Sequence, residues 1–210
     1  GIIRVGELTE LTDVASAFMG QPLPRGRRVG VLTMGGGMAV IAADALQKKG
    51  LEMPPLTSKT MDILNSILSG RWSHGNPVDP AGDFPSYQLL WAMLEDDNLD
   101  AIVIIGGIGM ASSFAGWAGT PPSMKYDANQ LRKIMEESEL GSLEKTIRLM
   151  KKQKKPVILT TMVWGAKRRG KIFSKLKQNY LEPYLTPEKS ATVLAHLVRY
   201  SEHIGVARKK

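Results

Sequence analysis

Apolar positions along this chain follow two rhythms. Short unbroken runs such as Ala101-Ile102-Val103-Ile104-Ile105 are separated by longer stretches in which apolar residues recur every three or four positions. The first rhythm predicts buried strands and the second amphipathic helices. Strands are expected at Val29 to Thr33, Leu51 to Met53, Ala101 to Ile105, Pro156 to Thr161 and Glu182 to Leu185, with a short opening one at Ile2 to Val5. Helices are expected from Glu7 to Met19, Met38 to Lys49, Thr57 or Ser58 to Leu68, and Ser86 to Glu95. Further helices are expected from Asn129 to Ser138, Lys145 to Lys154, Lys167 to Gln178, and from Thr186 to about His203. Several ends are marked: Gly50 suits a left-handed C-cap, Thr57 an N-cap, and Thr186-Pro187 an N-cap with proline in the first helical position.

Strands of four to six residues alternating with helices call for an α/β fold whose parallel sheet is wrapped on both faces. Five of them suggest a flavodoxin-like, doubly wound parallel sheet. Gly20 to Gly26 holds two prolines and two glycines and cannot continue a helix. Residues 20–28 therefore read as a linker, residues 1–19 as the tail of a preceding domain, and residues 29–210 as the flavodoxin-like domain. Residues 110–141 fit the alternation poorly and read as an insertion.

The chain has 210 residues and no cysteine, so disulfides, thiolate metal sites and cysteine nucleophiles are excluded, and an intracellular, cytoplasmic setting is expected. No apolar run approaches the ~18 residues of a spanning helix. The formal charge is +8, and its excess is concentrated: twelve basic and no acidic residues lie between Lys145 and Leu181. That block reads first as a solvated helix face and second as a surface for nucleic acid or another anionic partner; no aromatic-basic recognition motif is interleaved in it.

In an open parallel sheet ligands gather beyond the carboxyl ends of the strands. Three segments fall there. Gly35, Gly36, Gly37 and Met38 join the first strand to its helix, where bare backbone and a helix N-terminus suit a phosphate. The alternative is a tight turn that needs glycine for packing. Gly106 and Gly107 end the third strand, beside the first segment across the switch point. Asn76, Pro77 and Asp79 form a stiff turn that supports the neighbouring loops, Asn76 by bonding its own backbone two residues on. Dinucleotide and P-loop fingerprints are missing: the third glycine position is Ser112 in one loop and Val40 in the other, and there is no Gly-Lys-Ser/Thr. His74 has no metal-ligand spacing around it, while His196 and His203 fall on the last helix as spectators. No catalytic residue and no metal site are expected; an oxidoreductase is disfavoured, and a stand-alone anion- or partner-binding module is the alternative to a ligase part.

The motifs also resemble a family, the nucleoside-diphosphate-forming acyl-CoA synthetases. Arg28 to Gly37 with Ala42-Ala43-Asp44-Ala45 is similar to that family's RVAIVTNAGGPGVLAADA stretch. Trp72 to Asp79 with Gly82-Asp83 resembles its GNPVDLxGD element. Glu182 to Lys189 with Val198-Arg199-Tyr200 resembles its PVYxTPExA…LxxYxxY ending, and Ile105 to Ile108 an FGGI loop. The resemblance implies the last flavodoxin-like domain of a ligase that interconverts acyl-CoA, phosphate and NDP with acid, CoA and NTP. It implies that the helix N-terminus at Gly35 to Met38 stabilises a phosphohistidine whose histidine lies upstream of Ile2. CoA, ATP/ADP, phosphate and Mg would then be held by the full enzyme, with none bound by this chain alone. The partners implied are the CoA-binding, phosphohistidine and ATP-grasp domains, without which the chain is expected to be inactive. Trp164 to Arg169 stands where the family has Gly-Gly-Glu-Ala.

Overall fold

The computed structural model describes residues 1–82, 86–109, 128–161 and 170–206. Among these residues, three parallel strands form the sheet: β1 (Val29–Thr33), β2 (Ala101–Ile105) and β3 (Val157–Thr160), in the order β1-β2-β3. Thr33 stands opposite Ile105, and Ile105 opposite Thr160, so the strands end level with one another. The helices are α1 (Leu8–Gly20), α2 (Gly36–Lys48), α3 (Ser58–Ile67), α4 (Tyr87–Leu94), α5 (Ala128–Gln153), α6 (Lys171–Gln178) and α7 (Pro187–His203).

Every strand residue is buried, and alternate residues feed two separate cores. Leu32, Ile102, Ile104, Val157 and Leu159 point to one face, packed with residues of α3 to α6. Val29, Val31, Ala101, Val103, Ile105 and Ile158 point to the other, packed with α1, α2 and α7. The period-two alternation of a strand thus explains why both faces carry helices.

The expected second and fifth strands shrink to single parallel bridges, Glu52 beside Arg28 and Tyr184 beside Thr160. Proline is the physical reason. Pro54-Pro55 follows the first bridge and Pro183 precedes the second, and a residue without N–H cannot extend a ladder. The expected opening strand at Ile2 to Val5 does not form. Ile3 and Val5 pack on the second core, but the outer edge of β1 is covered by Glu52 and Val78 and that of β3 by Tyr184.

Two helices expected at Asn129 to Ser138 and Lys145 to Lys154 are one, α5, which runs through Gly141. Packing overrides the weak propensity of glycine there. Leu143, Ile147 and Met150 are buried, the Trp91 indole donates to Thr146 at 2.9 Å, and the Lys145 ammonium lies 3.5 Å over the Trp91 ring. The caps at Gly50, Thr57 and Thr186 form as expected; Thr57 and Thr186 accept from Thr60 N and Lys189 N, each at 3.3 Å. No helix among the described residues is long and apolar enough to cross a membrane.

Residues 1–28 dock firmly. Val14 and Ala17 of α1 are buried against the second core, while Leu8 and Leu11 remain exposed. The Gln21 carboxamide pairs with the backbone of Val157 in both directions, at 2.7 and 2.9 Å. The Arg28 guanidinium clasps Asp100 through two hydrogen bonds of 2.9 and 2.8 Å, tying the starts of β1 and β2.

Candidate functional site

The loops after β1 and β2 leave the same edge of the sheet from adjacent strands. Gly35 lies two residues beyond Thr33 and Gly106 one beyond Ile105, so the structure brings the first two glycine segments to one neighbourhood.

Between β1 and α2 the turn is held by its own backbone and one hydroxyl. Gly35 N donates to Thr33 Oγ1 at 3.3 Å, and Gly35 O accepts from Met38 N and Ala39 N at 3.1 and 3.2 Å. Gly36 and Gly37 are exposed, and their amides meet no acceptor among the described residues. Among the described residues, only Gly36 of the three meets a neighbour, Asp79 Oδ2 at 3.2 Å from where its side chain would begin. Gly35 has an extended φ of 179°, Gly36 and Gly37 lack a left-handed φ, and a side chain begun at Gly35 or Gly37 would meet nothing within 4 Å. Packing therefore does not account for glycine at Gly35 or Gly37, and the helix N-terminus at these positions is open.

The second loop differs. Gly106, Gly107 and Gly109 all have left-handed φ, of 76°, 80° and 75°, so backbone conformation alone accounts for them. Gly106 N donates to Thr160 O at 2.8 Å, tying the loop to β3. The next amide anchor is Glu139, a buried carboxyl from α5 that accepts from Gly109 N at 2.5 Å and from Tyr87 Oη at 3.4 Å. Its Oε2 is buried without a partner among the described residues. Burial raises the Glu139 pKa, outweighing the two hydrogen bonds, and the like charge of Glu136 adds to the rise. One turn earlier on α5, Glu136 accepts from Lys171 N at 2.9 Å, which caps α6. The sequence pattern marks neither glutamate, because charge on an otherwise polar helix resembles a solvated face. Trp164 to Arg169 and the first part of the insertion, 110–127, lie outside the described residues.

The third segment supports the site differently from expectation. Asn76 does not fold back on its own turn. Its Oδ1 accepts from Val31 N at 3.0 Å, and its NH2 donates to the carbonyls of Val29 and Pro54 at 2.9 and 3.0 Å. The carboxamide thus serves as a piece of strand on the edge of β1, between Glu52 and Val78. After the cis Pro77, Val78 continues along that edge, with N to Val31 O at 2.7 Å and O from Thr33 N at 3.0 Å. Asp79 follows at the level of α2. Its Oδ1 accepts from Ala81 N at 3.0 Å, and its Oδ2 lies 3.2 Å from where a Gly36 side chain would begin. A carboxylate therefore borders the helix N-terminus. His74 sits apart from this chemistry, exposed, with Nε2 3.1 Å from Gly70 O and its ring 4.7 Å from that of Trp72. No group of three His, Cys, Asp or Glu able to hold a metal occurs among the described residues.

No family model matches the chain. It is 29% identical over 208 residues, 98% of its length, to the ADP-forming acetate–CoA ligase II subunit alpha of Pyrococcus furiosus. It is 27% identical over 205 residues to the ADP-forming 4-hydroxybutyrate–CoA ligase of Nitrosopumilus maritimus. The chain spans 40% of the first relative's length and 26% of the second's. Among solved structures, it superposes on a dinucleotide-forming acetyl-coenzyme A synthetase of Candidatus Korarchaeum cryptofilum with a TM-score of 0.70. That match covers 98% of this chain and 40% of the other at 19% identity, which speaks for the fold.

Proposed function

We propose, for a chain that is kin to the ADP-forming acyl-CoA ligases along nearly its whole length, that it is the last flavodoxin-like domain of such a ligase. Residues 1–19 are the end of a histidine-bearing domain and 20–28 the link between the two. Its task is to offer the N-terminus of α2, at Gly35 to Met38, to the phosphoryl group of a phosphohistidine on another domain. Gly106 and Gly107 form the adjoining wall, and Asn76, Pro77 and Asp79 keep the β1 edge in place.

The observation that carries this reading is the glycine run itself. Three successive glycines, none required by φ and only Gly36 close to a neighbour, leave two amides and the positive end of α2 open to an approaching anion. Stabilisation by fixed dipoles needs no acid, base or nucleophile from this chain. Acyl selection, CoA binding and nucleotide binding belong to the remaining domains or subunit, in the cytoplasm. Mg is assigned to those other parts as well.

The test is a phosphate titration followed on the backbone amides. Saturable shifts at Gly36 and Gly37, lost in Gly37→Asp, are expected. The chain alone should be inactive in acyl-CoA formation and should restore turnover when mixed with the missing domains. No shift at either glycine, with no restored turnover, would overturn the reading. The stand-alone binding module remains the second reading because Arg148, Lys151, Lys152, Lys171 and Lys177 form an exposed basic surface on α5 and α6.

A further inference from the structure

Beside α2, on the same face of the sheet, runs α7, and one stripe of α7 carries an unusual set of side chains. His196, Arg199, Tyr200 and His203 recur at the i, i+3, i+4, i+7 spacing that puts residues on one helix face. Beside this stripe lies the opening segment, whose Arg4 completes a groove of about 310 Å³ lined by residues 1–4 and those four side chains. We infer that this groove is a binding site for a phosphate-class anion, free or as a phosphomonoester, held by Arg4, Arg199, Tyr200 and His203.

The lining has a single sign: among the described residues no Asp or Glu contributes to it. Arg4 and Arg199 are exposed and form no ion pair among the described residues, whereas Arg27 and Arg28 are each clasped by a carboxylate; Arg199 Nε donates to Ala195 O at 3.2 Å, which leaves its two terminal NH2 groups. The carboxylates close to the groove, Glu10 and Glu202, are each already paired. Glu10 accepts from Gly6 N at 2.8 Å and pairs with His196 Nε2 at 2.7 Å, while Glu202 holds Arg27 at 2.6 Å. The Glu10–His196 pair forms a partition, because the pocket on its other side is lined by four carboxylates, Glu7, Glu10, Asp13 and Glu188, against one cation, Lys189, paired with Asp13 at 3.3 Å. An anion is thus directed to one side and repelled from the other. Two guanidinium forks present planar pairs of donors matched to phosphate oxygens. Tyr200 is fixed by an edge-on contact with Phe18, 5.1 Å between ring centroids. The C-terminal end of α7 opposes an anion through its dipole, but that effect is weaker than two guanidinium charges at hydrogen-bonding range.

The inference is independent of the α2 reading, and the experiment keeps them apart. The chain carrying Gly37→Asp is titrated with inorganic phosphate, with adenosine monophosphate and with chloride, and amide and histidine ring signals are followed by NMR. Saturable phosphate shifts at Arg199, Tyr200 and His203, absent with chloride, are expected. Arg199→Gln should weaken binding about tenfold, the loss of one charge-assisted hydrogen-bonding group, and Arg4→Gln with Arg199→Gln should remove it. Tighter binding of the nucleotide would assign the site to a phosphomonoester, and equal binding to free phosphate. Shifts that fail to saturate, that chloride reproduces, or that survive in the double variant would overturn the inference. Both replaced arginines are exposed, so the variants should fold, which unchanged amide dispersion verifies.

Discussion

Asn76 Oδ1 accepts from Val31 N at 3.0 Å, and through that bond a turn residue closes the edge of the first strand. The same carboxamide satisfies Val29 O and Pro54 O, so three backbone groups depend on one side chain. Asn76→Ala leaves them without partners in a half-buried place. The cost should be about 2–4 kcal/mol, since each unsatisfied buried group costs ~1–3 kcal/mol. Asn76→Asp keeps an acceptor for Val31 but turns a carboxylate toward two carbonyls, and should destabilise at least as much at neutral pH. Urea unfolding of both variants measures it.

Gly37 separates two properties that usually change together. Its φ lies outside the left-handed region, and a methyl group there would meet nothing within 4 Å. Gly37→Ala should therefore stabilise α2 by about 0.5–1 kcal/mol through the smaller entropy of the unfolded chain. The same methyl would stand beside the open amides and should weaken phosphate binding. Thermal unfolding in phosphate-free buffer and calorimetric titration give the two readings. A loss of stability would mean that the glycine serves the fold rather than a ligand.

What the sequence disclosed, and what it hid, follows from the range of the interactions. Val29 to Thr33 and Ala101 to Ile105 are legible because burial on both faces demands an unbroken apolar run. The caps at Thr57 and Thr186 are legible because their partners lie three residues on. Pro54-Pro55 and Pro183 were equally visible, yet their effect on the outer strands depends on which edge they face. Asn76 is expected to bond its own turn, and it does not, since its partners are 22 to 47 residues away. Glu139 was silent: nothing in its helical spacing shows that it reaches a loop 30 residues distant.

Asp79 places a negative charge beside the site read as a phosphate seat. Its Oδ2 lies 3.2 Å from the point where a Gly36 side chain would begin, so a bound phosphate would feel its repulsion at close range. With intermediate screening, two charges about 5 Å apart interact by roughly 1–3 kcal/mol. Asp79→Asn should tighten phosphate binding about tenfold at low salt, and the gain should shrink as salt is added. The variant retains an acceptor for Ala81 N, so the turn should persist. Calorimetry at two ionic strengths tests it; weaker binding in the variant would mean that the carboxylate attracts the anion through a shared proton or cation.

Glu139 makes the stability of this fold sensitive to pH in a defined direction. Burial raises its pKa above the ordinary carboxylate value, with Gly109 N–H and Tyr87 Oη pulling the other way and Glu136 adding to the rise. In the window between the unfolded and the raised folded value, the native state holds more protons than the unfolded chain. Stability must then fall as pH climbs through that window and level off above it. Glu139→Gln keeps an oxygen for Gly109 N–H and has no charge to bury. Relative to the parent it should gain stability from about pH 4.5 upward, reaching roughly 1–3 kcal/mol, the range for a buried group without its partners. Below that pH the two should converge. Urea unfolding of parent and variant from pH 4 to pH 8 measures the difference directly. A constant offset at every pH would assign Glu139 a packing role and remove the proton from the account.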